Sequence, residues 1–179
     1  MNSLPIKCTS NNYKKDPFYL IQTNEDGKRY VVSLNDTFRI RILLSGFIDT
    51  SKTTVNITIR SLDEVLDWNV YSGKLSRDRL HALITEFEDV IFHNGRHDLI
   101  IQNSDSGDYM TFDDHGLIYI NTEEDYSDVL KNLGAEHKPD EKLIYQGFHW
   151  HHSTEQLNER LAEFINALGL TKEEYTSDK

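Results

Sequence analysis

Apolar and polar residues alternate along several short stretches in the first half of the chain. In TTVNITIR (53–60) every second residue from the third onward is Val or Ile, and in FRIRILL (38–44) arginines separate Phe and Ile residues. A period of two is typical of a half-buried strand. FYLIQ (18–22) and RYVVS (29–33) flank the turn signal Asp26-Gly27 and predict a hairpin. The first half is therefore predicted to be mostly sheet.

Helical spacing of apolar residues begins after residue 60. SLDE (61–64) fits a capping box and predicts a short helix that ends near Trp68. Longer amphipathic helices are predicted over 76–92, 123–133 and 154–168. Their predicted caps are Ser76, Thr122 or Asp125, and Ser153, and the predicted stops are Gly95, Gly134 and Gly169.

Short strands alternate with these helices. Four are predicted, over DLIIQ (98–102), YMTFD (109–113), LIYIN (117–121) and LIYQGFHW (143–150). The pattern predicts an α+β fold, with antiparallel sheet in both halves and amphipathic helices packed on it. One domain is predicted over 1–179, with 1–16 as a flexible tail; 17–95 and 96–170 are alternative sub-halves.

Composition excludes several classes of protein. The chain has 179 residues, of which 37% are hydrophobic, and this is more than a disordered chain carries. We see no apolar run long enough for a membrane span and no signal peptide, so we expect a cytoplasmic protein without a membrane partner. A single cysteine, Cys8, excludes an intramolecular disulfide.

The net charge of −11 is concentrated in one segment. Residues 1–103 carry 13 acidic and 13 basic side chains, whereas residues 104–142 carry 11 acidic and 3 basic ones, a net charge of −8. Such a segment repels nucleic acid and attracts a basic protein. A solvated face that keeps the protein soluble is the alternative interpretation. The candidate partner-binding residues are Asp105, Asp108, Asp113, Asp114, Glu123, Glu124, Asp125 and Asp128.

The stretch GFHWHHSTEQ (147–156) contains three of the eight histidines. If it begins as a strand, Phe148 and Trp150 share one face, which we expect in the core, and His149 and His151 share the other, toward solvent. His149 and His151 are the candidate metal ligands, but a metal site needs three or four ligands. Nothing in the sequence brings the Asp-Asp-His turn at 113–115 near them. The prediction is therefore no metal, no cofactor and no catalytic residue.

The C-terminal portion resembles small acidic immunity proteins of bacterial toxin systems. The resemblance is carried by GDYMTFDDHGLIYIN (107–121), LIYQGFHWHH (143–152) and the closing helix, and it covers roughly the last 80 residues. It implies a cytoplasmic protein that binds and blocks a toxin, often a basic nuclease. It assigns no individual residue a role.

Three functions remain open from the sequence. The first is a binding protein, not an enzyme, that inhibits a basic protein partner through an acidic surface. The second is a metal-dependent enzyme that uses His149, His151 and nearby carboxylates. The third is a housekeeping α+β domain. The sequence favours the first because its charge is so unevenly distributed.

Overall fold

The structure is a computed structural model that describes residues 6–9, 16–24, 27–63 and 67–173. Most of the predicted tail, Asp26 of the predicted turn and Glu64 of the first predicted capping box lie outside these ranges. The strands are β1 (Cys8–Thr9), β2 (Phe18–Asn24), β3 (Gly27–Ser33), β4 (Thr54–Leu62), β5 (Trp68–Ser76), β6 (His97–Asn103), β7 (Tyr109–Phe112), β8 (Ile118–Thr122), β9 (Glu136–His137), β10 (Trp150–His151) and β11 (Thr171–Lys172). The helices are α1 (Thr37–Asp49), α2 (Arg77–Glu86), α3 (Glu88–His93), α4 (Ser127–Asn132) and α5 (Glu155–Leu168).

Among the described residues, nine strands form one sheet in the order β11-β5-β4-β6-β7-β8-β3-β2-β9. Neighbouring strands are antiparallel, apart from the parallel pair β2 and β9. The fold is α+β, as predicted. Strands from the two halves of the chain are neighbours, since β4 pairs with β6 and β3 with β8. The strands therefore build mainly one large sheet rather than a sheet in each half.

One face of this sheet packs against the helices. Its inward residues, such as Ile57, Ile101 and Ile120, form a single core with apolar residues of all five helices. The stripe predicted on α5 is buried, as expected: Leu157, Leu161, Phe164, Ile165 and Leu168. The predicted hairpin is also present as β2 and β3, which pair from Phe18–Ser33 to Asn24–Gly27.

The strand predicted over 38–44 is wrong, because this segment lies in α1. The side chain of Asp36 accepts a hydrogen bond from the backbone N–H of Arg39 and caps the helix. Residues 40, 43, 44, 47 and 48 are buried, at helical spacing, whereas Phe38 and Ile42 are exposed. Residues 38–44 fit both the period of two of a strand and the period of about 3.6 of a helix. The residues after Leu44 continue only the helical pattern.

The short helix predicted to end near Trp68 is also wrong within the described residues. β4 continues through Ser61 and Leu62, and Leu62 pairs with Trp68 at the start of β5. β5 shows no regular alternation, since its one buried residue, Val70, pairs with Arg60 on the face away from the helices, while Tyr71 and Leu75 on the helix face are only half-buried. Pairing with β4 overrides the weak local signal.

The strand predicted over 143–150 is replaced by a 3₁₀ turn, Ile144–Gln146, followed by the two-residue strand β10. Leu143 and Ile144 are buried next to each other, which an alternating strand does not allow. The prediction that Phe148 and Trp150 lie in the core is wrong. Phe148 is 77% exposed and Trp150 is 47% exposed, and their rings contact each other edge to face.

Helix boundaries agree with the sequence only in part. Ser76 caps α2, as predicted, and Gly169 ends α5 in the left-handed conformation. The cap of α5 is Thr154 rather than Ser153, whose hydroxyl donates to Asn158 instead. The helix predicted over 123–133 is shorter, since α4 begins at Ser127, and neither Thr122 nor Asp125 is its N-cap residue. No helix of the described residues is long and apolar enough to cross a membrane.

Candidate functional site

The sheet face away from the helices is largely uncovered from β5 to β8, and we call this part the open face. Pairing across the sheet aligns Thr58, Ile100, Thr111 and Tyr119 in one row of this face, whereas Val31, next in the row on β3, is buried in a second apolar cluster with Leu143 and Ile144. A cavity of about 420 Å³ lies on it. Its lining includes Arg29, Arg60, Trp68, Tyr109, Thr111, Tyr119, Asn121 and Tyr145.

Both arginines of the open face are held by neighbouring side chains. The Arg60 guanidinium donates to the carboxylate of Asp98 and lies 5.5 Å from the ring centre of Trp68. Arg29 Nε donates to Asn121 Oδ1 at 3.0 Å, and the Arg29 guanidinium lies 5.9 Å from the ring centre of Tyr119. Burial raises the pKa of Asp98, although Lys7 and Arg60 oppose this shift. Fixed aromatic and charged groups of this kind suit recognition of a ligand or partner.

The turn between β7 and β8 lies at one edge of the open face, and its residues Asp113, Asp114 and His115 line the cavity there. Asp113 Oδ1 accepts from the backbone N–H groups of His115 and Leu117, at 3.0 and 2.7 Å. Gly116 supplies the positive φ, +80°, that closes the turn. The backbone N–H of Asp114 donates to Asp98 Oδ1 at 2.8 Å. These bonds fix His115 at the edge of the sheet.

The segment that carries β10 is docked beside this turn. The backbone N–H of His152 donates to the Lys7 carbonyl at 2.6 Å, and Gly95 N–H donates to the His152 carbonyl at 2.7 Å. Lys7 is completely buried, and its Nζ donates to the His97 carbonyl at 2.8 Å. Burial lowers the pKa of Lys7 to about 8, against the opposing charge of Asp98 and two further acids. The docking brings His151 against the β7–β8 turn.

His115, His149 and His151 meet at this junction, and we call them the histidine cluster. The ring centres are 4.9 Å apart for His115 and His149, 4.8 Å for His115 and His151, and 5.3 Å for His149 and His151. One possible ligand nitrogen from each ring lies within 4.8 Å of the other two. The structure thus supplies the third histidine that the sequence did not connect to the pair.

Two carboxylates flank the histidine cluster. His115 Nδ1 lies 2.7 Å from Asp114 Oδ1 and 3.4 Å from Asp113 Oδ2. Burial lowers the pKa of His115, but the hydrogen bonds and negative charge of these aspartates outweigh it and raise the pKa to about 10. Burial acts to raise the pKa of Asp114, and His115, His151 and Lys7 together lower it. The surroundings of the cluster therefore favour positive charge.

The eight predicted acidic residues fall into two groups. Six lie at the end of the sheet where β6 meets β7 and β8 meets α4, and we call this the acidic end: Asp105, Asp108, Glu123, Glu124, Asp125 and Asp128. Asp113 and Asp114 lie at the opposite end of β7, about 17 Å away along the strand. Tyr109 of the open face adjoins the acidic end, since it pairs with Asn121.

Several side chains of the acidic end have structural roles. Asp105 accepts from the backbone N–H of Lys52 at 3.0 Å, and Asp125 accepts from Tyr30 Oη at 3.1 Å. Burial, followed by the negative charge of Asp108 and Glu124, raises the pKa of Tyr126 to about 12. The negative charges of Asp108 and Glu124 therefore act on the same hydroxyl group, although the two residues are far apart in sequence.

Sequence reasoning missed the open face and the position of His115. The alternation of side chains along β7 and β8 places Tyr109, Tyr119 and Asn121 on one side of the sheet, and this alternation can be read from the sequence. The contact between His115 and His151 has no local signal, because it depends on pairing of β1 with β10. Comparison of the chain with protein-family models, with curated proteins and with solved structures found no match.

Proposed function

We propose that the protein is a cytoplasmic binding protein of the immunity kind, which inhibits a basic protein partner such as a nuclease toxin. The observation that carries the proposal is a group of exposed aromatic side chains, three that line the cavity of the open face and two on the segment that carries β10. They are Trp68, Tyr109, Tyr145, Phe148 and Trp150. Aromatic side chains are enriched in protein interfaces and supply much of the binding energy there.

The acidic end supports a basic partner. Glu123, Glu124 and Asp128 are exposed and follow β8, whose residues Tyr119 and Asn121 line the open face. Negative charge at the rim of an interface accelerates association with a basic surface, while buried aromatic anchors supply the affinity. The two kinds of group are adjacent through Tyr109, so one partner surface can contact both.

Phe148 and Trp150 are the strongest candidate anchors. Their ring centres are 4.7 Å apart in an edge-to-face arrangement, and both rings project from the segment that docks on β1. Exposure of such a pair is unfavourable for an isolated domain and becomes favourable when a partner covers it.

The proposal is tested against the product of any nuclease-toxin gene that lies next to the gene of this protein. Wild-type protein should bind the purified nuclease domain and abolish its activity at equimolar concentration. Phe148→Ala and Trp150→Ala should each weaken binding by about 30-fold, the effect of losing an aromatic anchor of roughly 2 kcal/mol. Binding is measured by calorimetry and inhibition by cleavage of a labelled substrate.

Phe38→Ala is the matched control. Phe38 is 69% exposed but lies on α1, on the opposite side of the sheet. Its removal should leave binding unchanged. Absence of inhibition by the wild-type protein, or equal losses in all three variants, would contradict the proposal.

A further inference from the structure

Two chain segments, distant in sequence, bring the three imidazoles of the histidine cluster together. His115 comes from the β7–β8 turn, whereas His149 and His151 come from the segment around β10. Their candidate ligand nitrogens lie within 4.8 Å of one another. Three nitrogens bound to one Zn²⁺ at about 2.0–2.1 Å are about 3.4 Å apart, so the rings would rotate to bring their ligand nitrogens onto one ion.

The Nδ1 atoms of all three rings already have acceptors. His149 Nδ1 lies 2.8 Å from the Gly147 carbonyl, and His151 Nδ1 lies 2.9 Å from the Gly95 carbonyl. His115 Nδ1 lies 2.7 Å from Asp114 Oδ1. Carbonyls and carboxylates only accept, so each Nδ1 carries a hydrogen. In a neutral ring, or once the metal has displaced the Nε2 proton of a charged ring such as His115, the lone pair is on Nε2, the arrangement that orients histidines as metal ligands.

We propose that His115, His149 and His151 bind one divalent transition-metal ion of the Zn²⁺ class through their Nε2 atoms. Imidazole ligands select Zn²⁺ and similar ions over Mg²⁺ and Ca²⁺, which prefer oxygen. The Asp114 carboxylate accepts a hydrogen bond from Nδ1 of His115, the nitrogen that does not bind the ion, as carboxylates commonly do for metal-bound histidines. Three histidines leave a fourth position for water or for a side chain of a partner.

The surroundings of the cluster fit a bound cation. Asp113 and Asp114 place two carboxylates beside His115, and the open face begins next to it at Tyr145, whose ring centre is 5.7 Å away. The side chain of His151 is 33% exposed, so an ion has access from solvent. A bound ion would also join the β10 segment to the β7–β8 turn, which are otherwise linked by few hydrogen bonds among the described residues.

The test is metal titration of the whole protein after dialysis against a chelator. Calorimetry should show one Zn²⁺ per chain with micromolar or tighter affinity. Co²⁺ should give the intense visible absorption of a four-coordinate site, and Zn²⁺ should raise the melting temperature.

Three variants define the site. His149→Ala and His151→Ala should each weaken Zn²⁺ binding by more than about 100-fold, and Asp114→Asn should weaken it by about 10- to 100-fold. His81→Ala is the matched control, since His81 pairs with Asp49 on the helical side of the molecule, away from the cluster. It should bind Zn²⁺ like the wild type.

Circular dichroism shows whether each variant folds. Within the described residues, the His149 ring makes its only hydrogen bond to the Gly147 carbonyl. His149→Ala should therefore keep the native fold even if His151→Ala does not. Failure of the wild type to bind Zn²⁺ or Co²⁺ would overturn the proposal. So would unchanged affinity in a folded His149→Ala variant, or an equal loss in His81→Ala.

Discussion

Lys7 shows at the residue scale how far the surroundings of a side chain change its chemistry. Its ammonium group is completely buried, donates to the carbonyl of His97 and lies 4.3 Å from the ring centre of Phe112. Burial lowers its pKa to about 8, despite the opposing negative charge of Asp98. The unfolded chain has the ordinary pKa of 10.5 and therefore binds more protons between these two values.

This difference predicts a specific dependence of stability on pH. The free energy of unfolding should increase as the pH rises from about 8 to about 10.5, because the cost of burying the ammonium disappears, by at most about 3 kcal/mol. Lys7→Met removes this contribution, so the stability of wild type relative to the variant should increase with pH. Urea unfolding of both proteins at about pH 7.5 and about pH 10.5 measures it, and a constant difference would contradict the assignment.

Gly95 shows at the element scale how β1, β10 and the turn after α3 fit together. A Cβ atom on Gly95 would overlap the Lys7 carbonyl oxygen and approach His151 Cβ at 3.1 Å. This carbonyl also accepts from the His152 N–H, so a shift of the backbone would break the junction. The glycine predicted to stop a helix is thus required for close approach of two chain segments, and it has no positive φ.

Gly95→Ala should therefore destabilise the protein by about 1–3 kcal/mol. Gly46→Ala is the control, because Gly46 lies in α1, where an added Cβ would meet no heavy atom within 4 Å, and it should stabilise the protein by about 0.5–1 kcal/mol. Thermal and urea unfolding give both values. Equal stability of the two variants would show that the junction tolerates a side chain.

Elements with long, regular patterns were predictable from sequence, and short ambiguous ones were not. In the α5 stripe and the β2–β3 hairpin, many residues fit the period of the element that forms, so the local sequence pattern and the packing favour the same structure. FRIRILL (38–44) satisfies both periods, and the final choice depends on Asp36 and on residues beyond Leu44. The histidine cluster depends on long-range pairing of β1 with β10, which no local pattern encodes.

The distribution of charge matters at the scale of the whole molecule. The acidic residues predicted from sequence are divided between the two ends of β7, so they form two separate regions of negative charge instead of one. The acidic end adjoins the open face through Tyr109, and the other two acids face the histidine cluster. We infer that the negative charge of the acidic end steers a basic partner, and that Asp113 and Asp114 orient His115 in the histidine cluster.

The rate of association with the nuclease domain tests the binding account most directly. Glu123→Lys with Glu124→Lys reverses two exposed charges of the acidic end, while Glu86→Lys with Glu159→Lys makes the same change on α2 and α5, across the sheet. Stopped-flow measurements at low and high salt should show association slowed roughly tenfold by the first pair at low salt, less at high salt, and little changed by the second. Equal rates for the wild type and the Glu123/Glu124 variant, at both salt concentrations, would contradict the account.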